Sequence, residues 1–234
     1  MNLPLDWDAI ELVVFDLDGT LYDATRLRRL MLMQLLADAA RRRSWRTLRV
    51  LRKFREVREA LAEEGADFLD WQYIRTANLL GCDEQEVRDA VQEWIERRPL
   101  PLLRDCRWPG VQEVFEDLRG AGKKIAVWSD YPARDKLAAL ELRADLAVSA
   151  CDPGIGRLKP DPRGLVEVME LAGVPPSRTL MVGDRIERDV MAARRAGVQS
   201  MLRSTRRTDL AISFSGYEDA VFGSLRQGVT LVPA

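Results

Sequence analysis

The sequence predicts an α/β fold: a Rossmann-like parallel sheet core flanked by helices, with an inserted all-helical unit. Three observations carry this. Beyond Trp108, short apolar β-runs alternate with helical patterns, as in parallel sheets covered on both faces. Between about residues 25 and 98 the pattern is almost wholly helical. The first β-run, 12–15, has no strand partner nearby in sequence, so it must join the sheet built by the C-terminal part. The expected division is therefore 1–21 and 106–234 for the α/β core, and 22–105 for the helical insertion.

Taken in order, the apolar run ending at Phe15 is the first strand. Leu27, Leu30, Met31 and Leu35 then give the insertion an apolar helical stripe. Trp45, Trp71, Tyr73 and Trp94 read as the insertion's own core, or alternatively as the floor of a binding site. After the insertion, strands are expected at 124–128, 146–149, 179–182 and 198–202. Helices are expected near 111–121, 133–140, 161–172, 187–196 and 217–226.

Composition narrows the chemistry. The 234 residues are 47% hydrophobic and 31% charged, with 36 Lys and Arg against 37 Asp and Glu, which suits a near-neutral globular chain with a sizeable core. No apolar run approaches the roughly 20 residues of a membrane span, and the N-terminus lacks a signal-peptide layout, so a cytoplasmic location is expected. Cys82, Cys106 and Cys151 lack pairing or zinc spacing and read as buried free thiols. Histidine is absent, which excludes imidazole bases, Ser-His-Asp triads and His-ligated zinc. Proton transfer then falls to a carboxylate, Lys, Tyr or Cys.

The end of the first β-run is chemically unusual. Val13-Val14-Phe15-Asp16-Leu17-Asp18-Gly19-Thr20 closes an apolar strand with two neighbouring acids and a Gly turn. Burying like charges together is costly unless a cation compensates them. In an open parallel sheet the carboxyl ends of the strands form the ligand crevice. That crevice would gather Asp16 and Asp18 with Ser129 and Asp130 after the second strand, Lys159 after the third, and Asp184 after the fourth. Several carboxylates without His favour a hard cation such as Mg²⁺. A carboxylate beside it can serve as nucleophile, while Lys159 and the Ser129 hydroxyl suit phosphoryl oxygens.

With these segments in order, the chain resembles the haloacid dehalogenase superfamily of phosphohydrolases. The resemblance rests on Asp16-Leu17-Asp18-Gly19-Thr20-Leu21, on Trp128-Ser129-Asp130, on Leu158-Lys159-Pro160-Asp161-Pro162, and on Gly183-Asp184-Arg185 with Asp189 following. It covers essentially the whole chain, the insertion matching the family's helical cap. The resemblance implies that Asp16 attacks phosphorus to give an aspartyl-phosphate and that Asp18 acts as general acid, then base. It implies Mg²⁺ held by Asp16, the Asp18 carbonyl and Asp184, with Asp189 supporting the metal site through water or Lys159. Ser129 would hydrogen-bond a phosphoryl oxygen, and Lys159 would neutralise developing charge.

Asp18, a proton donor that carbon–halogen cleavage does not need, points to the phosphatase branch. The implied activity is Mg²⁺-dependent hydrolysis of a small phosphorylated metabolite. The alternatives are a phosphomutase of the same superfamily and a non-catalytic phosphate-binding module. Departures from the pattern are Arg185 after Asp184 and the Gly- and Pro-rich stretch 150–157.

One feature outside these motifs is the basic run of the insertion. Between residues 26 and 58, twelve Arg and Lys face only Asp38 and Glu56. This reads as a solvated helical face, as a grip for an anionic substrate, or as a contact for nucleic acid or a membrane surface. Oligomeric state is open.

Overall fold

The computed structural model describes residues 5–65, 68–223 and 225. A six-stranded sheet organises it: β1 (Leu12–Phe15), β2 (Lys124–Ser129), β3 (Leu146–Ser149), β4 (Thr179–Gly183), β5 (Gln199–Arg203) and β6 (Ile212–Phe214). The order is β3-β2-β1-β4-β5-β6, and every pairing is parallel. β1 lies between β2 and β4, with Phe15 opposite both Val127 and Val182. That register sets the residues just after β1, β2 and β4 side by side at one edge.

Side chains alternate across a strand, so β1 feeds two cores. Val13 and Phe15 pack with Ile125, Val127 and Val182 under α6 (Val111–Gly120) and α7 (Arg134–Ala139). Leu12 and Val14 pack with Ala126, Trp128 and Met181 under α8 (Arg163–Ala172) and α9 (Met191–Arg195). All four β1 residues are fully buried, which is why this strand reads as continuously apolar.

Between β1 and α6 come α1 (Ala24–Arg42), α2 (Arg46–Glu64), α3 (Trp71–Leu80), α4 (Glu84–Val91), a π-helical turn (Gln92–Arg97) and α5 (Leu100–Cys106). Asp23 caps α1 by accepting from the Thr25 and Arg26 amides, both at 2.9 Å. These helices have a core of their own around Leu35, Val50, Phe54, Val91 and Trp94. A second cluster joins α2 to the sheet, with Val57, Leu61 and Phe68 meeting Ala150 and Leu158. Among the described residues no helix is long and apolar enough to cross a membrane.

The strand expectations hold to within a residue at each end, and β6 is additional. Of the helix expected over 217–226, the described part shows a 3-10 turn at Ala220–Phe222; residue 224 and everything from 226 lie outside the described residues. Two tryptophans depart from expectation. Trp45 is 57% and Trp71 58% exposed, so neither belongs to the helical core. Trp45 precedes α2 off its buried stripe, and Trp71 shares the outer face of α3 with Arg75, Asn78 and Leu79. Tyr73 and Trp94 do pack in that core. Of the three thiols only Cys106 is buried; all are free.

Candidate active site

Asp16 follows β1 directly, its amide donating to Val182 O at 2.8 Å, so the strand ladder itself fixes this acid at the carboxyl edge. Its Oδ1 accepts from Lys159 Nζ at 2.5 Å and its Oδ2 from the Thr20 hydroxyl at 2.9 Å. The Lys159 ammonium also donates to Asp189 Oδ1 at 2.9 Å. Lys159 is held by its main chain on both sides, its amide donating to Asp130 Oδ1 at 3.0 Å and its carbonyl accepting from Arg188. Asp189 Oδ2 accepts from the Asp184 and Arg185 amides at 3.2 and 3.0 Å, which ties down the loop after β4.

Asp16, Asp184 and Asp189 offer carboxylate oxygens that all lie within 4.8 Å of one another. Two glycines make this packing possible. A Cβ on Gly19, whose φ is +103°, would lie 2.2 Å from Asp184 Oδ2, and one on Gly183 would lie 2.3 Å from the Asp189 Cβ. Burial raises the Asp16 carboxyl well above its usual range; Lys159 pulls the other way, and Asp189 and Asp184 add to the rise. Burial, then Asp189, push Asp184 up to about 6. For Lys159 burial favours the neutral amine, yet Asp16, Asp189 and Asp130 together prevail and keep it charged. One cation thus serves several acids, and Asp184 Oδ1 is buried without a hydrogen-bond partner among the described residues. An all-oxygen cluster with an orphaned carboxylate atom fits a hard divalent cation.

Asp18 stands apart from that cluster. Its Oδ1 accepts from Lys136 Nζ at 2.6 Å and from the Tyr22 hydroxyl. Burial would raise its pKa, but the Lys136 charge and hydrogen bond outweigh it and hold the carboxyl low. Ser129, fully buried at the end of β2, accepts from the Tyr131 amide at 3.1 Å, and its own O–H has no acceptor among the described residues.

Lys136 is the site residue that sequence reading missed. It lies on α7 among the buried Ala133, Leu137 and Leu140. A lysine inside an apolar stripe is the signal that marks it.

The acids open onto a cleft of about 490 Å³ between the sheet edge and the preceding helices. Asp18, Tyr22, Tyr131, Lys136, Asp184 and Arg185 form one side; Leu27, Arg28, Met31, Arg55, Trp94 and Ile95 form the other. Most of the basic run is elsewhere. Arg41 and Arg42 pair with the buried Asp38, and Arg46 pairs with Glu86 and Arg52 and Lys53 with Glu56 on the outer helix faces.

The sequence profile of the haloacid dehalogenase-like hydrolases matches residues 10–197. The chain belongs to this family. Among curated relatives, it is 32% identical over 200 residues to a phosphoglycolate phosphatase of Pseudomonas putida, covering 80% of this chain and 67% of that protein. It is 23% identical over 206 residues to a glyceraldehyde 3-phosphate phosphatase of Methanothermobacter thermautotrophicus, covering 86% and 88%. Among solved structures, a 2-haloacid dehalogenase from Pseudomonas syringae pv. tomato superposes with a TM-score of 0.65 at 22% identity, covering 94% of this chain and 100% of that one. This last likeness is one of fold. The chain is thus a hydrolase of the haloacid dehalogenase-like family with a parallel, Rossmann-like sheet.

Proposed function

We propose that this hydrolase is a Mg²⁺-dependent phosphatase that frees phosphate from a small phosphorylated metabolite through an aspartyl-phosphate on Asp16. The observation that carries this is the buried cluster of Asp16, Asp184 and Asp189, bridged by Lys159 and orphaned at Asp184 Oδ1. The named activities of the relatives support the phosphate-ester chemistry.

Asp16, Asp184 and the Asp18 carbonyl would hold the metal, and Asp189, already engaged by Lys159 and two amides, would support them. Bound there, Mg²⁺ would neutralise phosphoryl charge and align the ester. Lys159 opposes the rise of the Asp16 pKa, favouring the ionised nucleophile, and adds a second positive charge. In this reading the Ser129 hydroxyl donates to a phosphoryl oxygen. Asp16 attacks phosphorus, and the P–O bond to the leaving group breaks. Asp18 first takes up a proton from solvent on Oδ2 and gives it to the departing oxygen; ionised again, it takes one from the water that cleaves the aspartyl-phosphate. Lys136 and Tyr22 both donate to Asp18 Oδ1, which orients the carboxyl and leaves Oδ2 for this exchange.

The helices over 22–105 act in this reading as a cap that excludes water from the cleft, in a cytoplasmic enzyme. The test is release of inorganic phosphate from a phosphometabolite panel with Mg²⁺. Stoichiometric orthophosphate supports hydrolysis, and an isomeric phosphate ester in its place would make the enzyme a mutase.

A further inference from the structure

The far side of the cleft says what kind of alcohol leaves. Leu27 and Met31 on α1 meet Trp94, Ile95 and Pro99, giving a wall that is apolar away from the acids. Tyr22 and Tyr131 continue it on the sheet side. Arg28 and Arg55 interrupt this surface. Ala24, Leu27, Arg28 and Met31 lie on one face of α1, so the guanidinium of Arg28 shares the apolar stripe that lines the cleft. Neither Arg28 nor Arg55 has an ion-pair partner among the described residues. Of the cleft's acids, Asp18 is matched by Lys136 and Glu59 by Arg188 and Arg185, and Asp184 belongs to the cluster assigned to the metal. Two cations without an ion-pair partner among the described residues, presented by α1 and α2 rather than by the strand ends, call for a second anion on the ligand. The volume agrees, since about 490 Å³ lies in the range of pockets that enclose drug-sized molecules and exceeds what a two-carbon acid fills.

We infer that the substrate is a phosphate monoester of an amphiphilic alcohol, with an apolar or aromatic body against Leu27, Met31 and Trp94 and a second oxyanion held by Arg28 and Arg55. This rests on the phosphatase reading and sharpens it to a substrate class.

The experiment compares kcat/KM of the full-length chain with Mg²⁺ on four esters, read as released phosphate: phenyl phosphate, 4-carboxyphenyl phosphate, 4-phosphonophenyl phosphate and 2-phosphoglycolate. Each anionic aryl ester is expected to exceed phenyl phosphate by about tenfold or more, the worth of a charge-assisted hydrogen bond. The larger of those two ratios tells whether a carboxylate or a phosphate-like group is the better anion. The preference should shrink as salt is raised. In the Arg28→Gln, Arg55→Gln double variant the ratio of anionic to neutral ester should fall toward one. Because the ratio is taken within one preparation, a partly misfolded variant does not distort it. Equal rates on neutral and anionic esters, or an unchanged ratio in the double variant, would overturn the inference while leaving the phosphatase reading intact. Phosphoglycolate as the best of the four would overturn the apolar body. No phosphate from any ester would overturn the phosphatase reading and this inference with it.

Discussion

The acids of the site are held together at a cost that has a definite pH signature. Asp184 rises from the ordinary 3.8 to about 6, and Asp16 rises too, so the folded protein binds more protons than the unfolded chain between those values. Stability of the metal-free protein should therefore fall as pH climbs from about 4 through about 6. Asp18, whose pKa is lowered, contributes stability in the opposite sense, present above its unfolded value and lost only as pH falls below it. Thermal unfolding with chelator should show the Asp16 and Asp184 effect, and Mg²⁺ should restore the midpoint above pH 6. A flat profile that ignores Mg²⁺ would contradict the cluster as a metal site.

Gly19 is a second sensitive position. In Gly19→Ala the new methyl meets Asp184 Oδ2 at a backbone φ that side chains rarely adopt, so phosphate release should drop by about 100-fold or more and stability by roughly 1–3 kcal/mol. Lys136→Met should lower kcat about 100-fold and move the acidic limb of the pH–rate profile upward, because Asp18 loses the cation that holds it ionised. The acids at 16, 18 and 184 were legible in the sequence because each stands just after an apolar strand, whereas Asp189, in the helical turn beyond, was readable only through the family resemblance. Lys136 was not, because only the packing of α7 against the sheet brings it to Asp18.

α2 is the element that couples the helices to the catalytic edge. Arg58, buried in its middle, donates to Gln72 and to the Asp130 carbonyl, and its guanidinium lies 4.6 Å and 4.1 Å from the ring centroids of Phe68 and Tyr131. The next residue, Glu59, receives Arg185 and Arg188, which lie between Asp184 and Asp189. The same segment that fixes Lys159 is thereby clamped from above. Arg58→Ala removes the guanidinium from Gln72 and from the Asp130 carbonyl, which keeps only the weak Cys151 thiol donor, so a loss of about 1–3 kcal/mol is expected in urea unfolding, together with weaker substrate binding. A loss below about 1 kcal/mol would show that the contact is incidental. The basic run was visible as charge in the sequence, but its sorting was not. Pairing of Arg41, Arg42 and Arg46, burial of Arg58, and exposure of Arg28 and Arg55 to the cleft all depend on which helix face each residue meets. The outward turn of Trp45 and Trp71 was hidden for the same reason: an aromatic residue at a helix start gives no sign of its face.

In the whole molecule, a parallel sheet with β1 at its centre turns four distant stretches of chain into one edge. The alternation of strands and helices and the isolated first strand made that arrangement readable, since nothing else could bury an apolar run followed by two acids. β6 escaped notice because three residues, Ile212–Phe214, are too short to show a period. The insertion between β1 and β2 then supplies the opposite wall of the cleft, so that in the proposed function phosphoryl chemistry and leaving-group choice fall to different parts of the chain. The account turns on Asp16 accepting the phosphoryl group. Rapid acid quench during turnover with Mg²⁺, followed by peptide mass spectrometry, should find phosphate on the peptide that contains Asp16, and Asp16→Asn should neither label nor release phosphate. Full turnover by Asp16→Asn, or steady release of phosphate with no label ever found on that peptide, would contradict it.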